Sequence, residues 1–219
     1  MPFWCNMIKL VIFDLDGTLI DAYKAIAESF NYTMQQLSLP QQSFLAIKKA
    51  VGWGDEALLK PYVPPKIIPL ALRIYRGHHK LSLLRGARLI PCARKILLKL
   101  RKRKIMLAVA SNRPTQFSLL LLRKLKIRKY FDYILCADKL KFRKPHPQIL
   151  NSIVRKLKVE KSQTLYAGDM AIDAETGRRA GIKAFIILGG SSSKAEIIKE
   201  NPCKIVKNLC GMLGAIDAG

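Results

Sequence analysis

Asp14 and Asp16 close a short apolar run, Ile8 to Phe13, in the segment I-K-L-V-I-F-D-L-D-G-T-L. A nearly continuous apolar run of this length suits a strand buried on both faces of a parallel sheet. Residues i and i+2 of a strand point the same way, so the two carboxylates are predicted to stand side by side. Two like charges held that close oppose each other's ionisation. A divalent cation relieves the opposition, and Mg²⁺ accepts hard oxygen ligands while keeping several of its waters. Beside such an ion one carboxylate can attack an electrophilic phosphorus, and the other can protonate the oxygen that leaves. Gly17 permits a tight exit from the strand. Read alone, Asp-Gly is equally the signature of an ordinary strand-to-turn boundary.

The other chemically suggestive residues also follow apolar runs. Ile105 to Ala110 ends in Ser111-Asn112, and Gln163 to Ala167 ends in Gly168-Asp169. Asp173 follows four residues later, near the start of a helix whose dipole favours it. Lys183 to Leu188 ends in Gly189-Gly190, and Lys204 to Val206 reads as an edge strand. Lys144 sits in K-F-R-K-P-H-P, between a loop and a helix started by Pro147. Each feature has a plain structural reading. Ser111, Asp169 and Asp173 suit helix N-caps, and Lys144 is one of 39 basic residues. Taken together they converge, because ligands of open α/β sheets bind at the carboxyl ends of the strands. There a hydroxyl and backbone N–H groups can cradle an anion, and a lysine can offset the carboxylates and reach a phosphate.

Helical spacing fills the gaps between the runs. Ile96, Leu97 and Leu100 mark a helix over about 92–104, and Phe117, Leu120, Leu121 and Leu125 mark one started by Pro114. Leu150, Ile153, Val154 and Leu157 mark a third, and a fourth, rich in Ala and Gly, covers about 171–180. Strand and helix alternate, so the fold class is α/β: a Rossmann-like open parallel sheet. Residues 22–85 break the alternation. Ile26, Phe30, Met34 and Leu37 have helical spacing, and further helical stretches near 43–51 and 66–83 are divided by Pro40, Pro61, Pro64 and Pro65. The expected organisation is a core of residues 1–21 and 86–219 with an inserted all-helical cap of residues 22–85.

Asp14-Leu15-Asp16-Gly17-Thr18-Leu19, Ser111-Asn112, Lys144-Pro145 and Gly168-Asp169 with Asp173 together resemble the motifs of the haloacid dehalogenase-like hydrolases. Order and spacing agree over essentially the whole chain. The insertion directly after the first motif resembles the cap of the phosphoglycolate phosphatase-like branch. The resemblance implies a Mg²⁺-dependent phosphatase acting on small phosphate monoesters. Asp14 would be the nucleophile, forming an aspartyl-phosphate, and Asp16 the general acid and then base. Mg²⁺ would be held by Asp14, the main-chain carbonyl of Asp16 and Asp169, with Asp173 bound directly or through water. Ser111, Asn112 and Lys144 would hold the phosphoryl group. The aspartate at 16 favours phosphate-ester chemistry, since dehalogenase members lack an acid there. Met170 departs from the pattern, where relatives often carry a small hydroxyl residue. Gly52, Trp53 and Gly54 resemble a substrate-reading cap loop, with core packing an equal role for Trp53. His78, His79 and His146 lack metal-ligand spacing and are expected to be ordinary packing residues. Two other readings share these features: a phosphomutase of the β-phosphoglucomutase kind, and a non-catalytic nucleic-acid- or anion-binding protein.

Composition sets the outer limits. Half of the 219 residues are hydrophobic and a quarter are charged, which excludes a disordered chain or a coiled coil. The net charge of +24 favours anionic partners, a small phosphorylated metabolite foremost. Nucleic acid is the weaker expectation, because no aromatic-studded basic strand is present. No apolar run approaches the roughly 18 residues of a membrane span, and the run ending at Phe13 lacks the features of a signal peptide. The five cysteines are scattered and odd in number, so free thiols in a cytoplasmic protein are expected.

Overall fold

The computed structural model describes residues 8–217. In chain order its elements are β1 (Leu10–Phe13), β2 (Ile20–Asp21), α1 (Tyr23–Gln36), α2 (Phe44–Ala50), α3 (Asp55–Leu59), α4 (Ile68–Gly86), β3 (Arg88–Leu89), α5 (Ala93–Lys102), β4 (Met106–Ser111), α6 (Thr115–Lys124), β5 (Tyr133–Cys136), α7 (Gln148–Leu157), β6 (Thr164–Gly168), α8 (Ala171–Ala180), β7 (Lys183–Ile187), α9 (Lys194–Lys199), β8 (Lys204–Val206) and α10 (Leu209–Asp217).

Six strands form a parallel sheet in the order β5-β4-β1-β6-β7-β8. The chain leaves β1 for one side of the sheet and later returns to its other side at β6, so β1 ends at a topological switch point. Phe13 is level with Val109 of β4 and with Ala167 of β6. The residues that follow these three therefore emerge together.

Every residue of β1 is buried, because both faces of the sheet are covered. Val11 and Phe13 pack with Ile96, Leu97 and Leu100 of α5 and with Phe117 and Leu121 of α6. Leu10 and Ile12 face Ile149, Leu150 and Ile153 of α7 on the other side. Burying each such side chain is worth roughly 1.5–3 kcal/mol, and this alternation pins the direction in which Asp14 and Asp16 leave the strand.

The helical insertion hangs from a two-stranded antiparallel ribbon, in which Ile20 pairs with Leu89 and Asp21 with Arg88. Within it α1 lies along α4. Ile26, Phe30 and Met34 of α1 share one apolar cluster with Ala71, Tyr75 and Leu83 of α4, and that cluster runs on into the core through Phe13 and Phe117. The insertion is thus seated on the sheet's carboxyl end by continuous packing.

The structure differs from expectation in three places. Residues 55–59, lying between the helical stretches expected near 43–51 and 66–83, form a further short helix, α3. The edge strand β5 and the ribbon strands were not anticipated, since runs of two to four residues carry too little periodicity. The expectation of free thiols fails for Cys92 and Cys210, which form a disulfide. Linear spacing says nothing about partners 118 residues apart, which meet only when α10 returns to the start of α5. The cytoplasmic assignment loses the support it drew from the cysteines; Cys136 and Cys203 remain free. Among the described residues no helix is long and apolar enough to cross a membrane.

Closing a loop of this length restricts the unfolded chain. Reduction, or Cys210→Ser, is expected to lower stability by about 2–4 kcal/mol. For a chain of this size that corresponds to a drop of roughly 5–15 °C in Tm. Thermal unfolding with and without a reductant measures it, and an unchanged Tm would show that the bond contributes nothing.

Candidate active site

Asp14, Ser111, Lys144, Asp169 and Asp173 are all nearly or fully buried, which is unusual for so many polar side chains in one place. Register explains the meeting. Asp14 follows β1, Ser111 ends β4 and Asp169 follows β6, all at the same edge of the sheet. Asp173 enters from the first turn of α8, where its Oδ2 accepts from the backbone N–H groups of Asp169 and Met170, both at 3.1 Å. Lys144 reaches in from the loop before α7.

Lys144 is the hub. Its Nζ donates to Asp14 Oδ1 at 2.8 Å and to Asp173 Oδ1 at 2.7 Å, and lies 3.0 Å from the Tyr166 hydroxyl. The Tyr166 hydroxyl in turn donates to Asp173 at 2.6 Å. Burial pulls the lysine's pKa down, but Asp14 and Asp173 more than reverse this, so Lys144 stays charged. Asp169 accepts from the Thr18 hydroxyl at 2.7 Å and from the Tyr23 hydroxyl at 3.2 Å. Gly17 has a positive φ, and a side chain there would collide with the Asp169 carboxylate. Its glycine therefore serves the close approach as well as the turn.

One ammonium does not balance three carboxylates. Burial, only partly offset by Lys144, pushes Asp14 up to about 7. Burial, with Asp173 and Asp14 adding to it, raises Asp169 well above the carboxylate range. Oxygens of Asp14, Asp169 and Asp173 lie within 4.8 Å of one another. An all-oxygen donor set with surplus negative charge fits a hard dication such as Mg²⁺.

The remaining expected residues are placed as follows. The side chain of Asp16 stands apart from the carboxylate cluster and is engaged by Arg113, whose Nε and Nη2 donate to its two oxygens at 2.7 and 2.8 Å. Ser111 Oγ accepts from the Arg113 N–H at 3.1 Å. The Asn112 side chain holds loops together: it donates to the Gly52 carbonyl at 2.9 Å and accepts from the Lys144 N–H at 3.0 Å. Gly52 and Gly54 line a cleft of about 570 Å³, counting its open mouth, between sheet edge and cap. Asp14, Asp16, Arg113 and Lys144 line its polar end, and Ile26, Leu58, Tyr75 and Phe117 its apolar end. Trp53 instead turns outward and is 45 % exposed. Met170 has a packing role, since its Sδ and Cε lie against Gly52, where a β-carbon would not fit. The φ of +115° at Gly52 itself favours glycine there.

Several members of the site escaped the sequence. Arg113 was hidden among 39 basic residues, although its place next to Ser111-Asn112 was a signal. His79, expected to be ordinary packing, is buried with Nε2 2.8 Å from Arg113 Nη1. Tyr23 and Tyr166 belong to no motif, and Thr18, although part of the first one, was given no role of its own.

Residues 11–187 match the family of haloacid dehalogenase-like hydrolases. The chain belongs to that family. It is 30% identical over 204 residues to a phosphoglycolate phosphatase of Aquifex aeolicus, covering 91% of this chain and 96% of that relative. A phosphoglycolate phosphatase of Pseudomonas fluorescens is 28% identical over 218 residues, or 94% of this chain and 78% of the other. The crystal structure of a predicted phosphoglycolate phosphatase from Haemophilus somnus superposes with a TM-score of 0.89 at 25% identity, covering 95% of this chain and 98% of that one. This haloacid dehalogenase-like chain thus shares with its relatives both the sheet and the helical insertion above it.

The raised Asp14 pKa sets a sign. A carboxyl with a folded pKa near 7 and an ordinary value of 3.8 favours the metal-free fold when protonated. That contribution is complete below about pH 4 and is lost as pH rises through 7. Without metal, Asp14→Asn is therefore expected to gain Tm relative to the parent between pH 5 and pH 8. Mg²⁺ is expected to raise the parent's Tm more at pH 8 than at pH 5, because protons compete for the ligands at the lower pH. A Mg²⁺ shift of equal size at both values would contradict this assignment.

Proposed function

We propose that this phosphatase hydrolyses small phosphate monoesters, phosphoglycolate first among them, in a Mg²⁺-dependent reaction through an aspartyl-phosphate on Asp14. The reading is carried by the buried cluster of Asp14, Lys144, Asp169 and Asp173 at the switch point of the sheet, beneath a cleft of about 570 Å³. Its lining, polar at the end of Asp14 and Lys144 and apolar at the end of Ile26 and Phe117, suits a small phosphate ester. The names of the curated relatives supply the choice of phosphoglycolate.

Asp14, Asp169 and Asp173, with the main-chain carbonyl of Asp16, would hold Mg²⁺. When bound, the ion offsets negative charge on the carboxylates and on the phosphoryl oxygens. A carboxylate oxygen of Asp14 attacks phosphorus as the ester P–O bond breaks, and Asp16 gives a proton to the departing alkoxide. Asp16 then takes a proton from water, whose oxygen attacks the same phosphorus, returning Asp14 and inorganic phosphate. Lys144 and Ser111 hold the phosphoryl oxygens, whose charge is greatest in the transition state. The cap limits the size of the alcohol and excludes bulk water.

Asp14→Asn is expected to reduce turnover of p-nitrophenyl phosphate by at least about a thousandfold, as loss of a covalent nucleophile does. EDTA should abolish turnover, and added Mg²⁺ should restore it. Activity that persists in either case refutes the mechanism.

A further inference from the structure

Arg113 joins the site to the cap. Its side chain is buried at the polar end of the cleft, and all three nitrogens of its guanidinium are engaged. Nε and Nη2 form a fork on Asp16. Nη1 meets Nε2 of His79 from α4 at 2.8 Å. Arginine can only donate, so His79 Nε2 accepts and the histidine proton lies on Nδ1. Nδ1 faces Ser29 Oγ at 3.0 Å, and Ser29 donates to the Ala25 carbonyl at 2.8 Å. The direction of each hydrogen bond from α1 to Asp16 is thereby set. Burial, and Arg113 after it, push His79 down to about 2, so it remains a neutral acceptor.

This arrangement leaves Asp16 clamped. Both of its oxygens accept from Arg113, and an oxygen held in that fork is poorly placed to face a leaving group. Arg113 and Asp16 also balance each other, so a second anion entering the cleft must share the guanidinium. Ile26, Leu58, Tyr75 and Phe117 make the neighbouring wall apolar, where an unpaired carboxylate would be costly. The planar guanidinium binds one carboxylate as well as another, side-on through two N–H groups.

We propose that Arg113 is a specificity-determining residue that exchanges Asp16 for a carboxylate on the leaving group, so that phosphate esters of small hydroxy acids release Asp16 to face the ester oxygen while esters of neutral alcohols leave it clamped. The proposal rests on the phosphatase reading above. It assigns His79 as a positioning residue that orients the guanidinium from the cap. Selectivity then appears in kcat as well as in KM, because the carboxylate changes what Asp16 can do and not only how tightly the ester binds.

The test compares 2-phosphoglycolate with ethyl phosphate, which replaces the carboxylate by a methyl group, on the Mg²⁺-loaded parent protein, Arg113→Met and Arg113→Lys. In the parent, kcat/KM is expected to favour phosphoglycolate by at least about a hundredfold, with at least about tenfold of this in kcat. In Arg113→Met the two kcat values should fall within about threefold of each other. Arg113→Lys keeps the charge but not the fork, and gives an intermediate ratio even if the methionine variant does not fold. A ratio unchanged by the substitutions, or a parent preference confined to KM, overturns the exchange and leaves the phosphatase reading standing. A parent that turns over neither ester overturns both.

Discussion

Three carboxylates share a buried pocket with one ammonium, and this imbalance organises the molecule. Asp14, Asp169 and Asp173 are held in place by Lys144, by the hydroxyls of Thr18, Tyr23 and Tyr166, and by backbone N–H groups at the start of α8. Hydrogen bonds keep the anions in position but do not offset burial and, after it, mutual repulsion, which raise Asp14 and Asp169. The arrangement survives because it is anchored to strands that are buried on both faces and cannot slide without moving a whole apolar register. What remains is a pocket of surplus negative charge, suited to a hard dication.

Asp14 and Asp16 are two residues apart yet have different surroundings. Asp14 faces the carboxylate cluster and Lys144, whereas Asp16 faces Arg113 and the cap. Two identical side chains can thus take different parts in one reaction, because each environment favours a different partner. The cap is joined to this difference through polar as well as apolar contacts. Asn112 reaches Gly52, Met170 packs on Gly52, and Arg113 reaches His79. The cap residues that wall the cleft are therefore mechanically connected to the buried polar groups beneath it.

The motif residues were legible because each depends on local rules. An apolar run that stops at a carboxylate marks the end of a buried strand, and a proline or capping residue after it marks the next helix. Those rules located β1, β4, β6 and β7 and the helices between them. They were silent on β5 and on the ribbon, where two to four residues carry no decisive period. They also could not foresee the Cys92–Cys210 bond, since nothing near either cysteine names the other.

The amino-acid sequence by itself determined the class of fold, the edge of the sheet where the polar motif residues gather, and the carboxylates and lysine found there, since these follow from periodicity and from residue type at strand ends. Tertiary structure alone decided which polar groups pair. Arg113 is one basic residue among many until folding lays it against Asp16, and His79 is one more position on an amphipathic helix until α4 carries it over the sheet. Met170 is a departure from a pattern until its sulfur is found against Gly52. The reason is physical. Strand and helix preferences act over a few residues, whereas ion pairs, tautomers and packing partners are set by distances between segments far apart in the chain, which exist only after the sheet has brought them together.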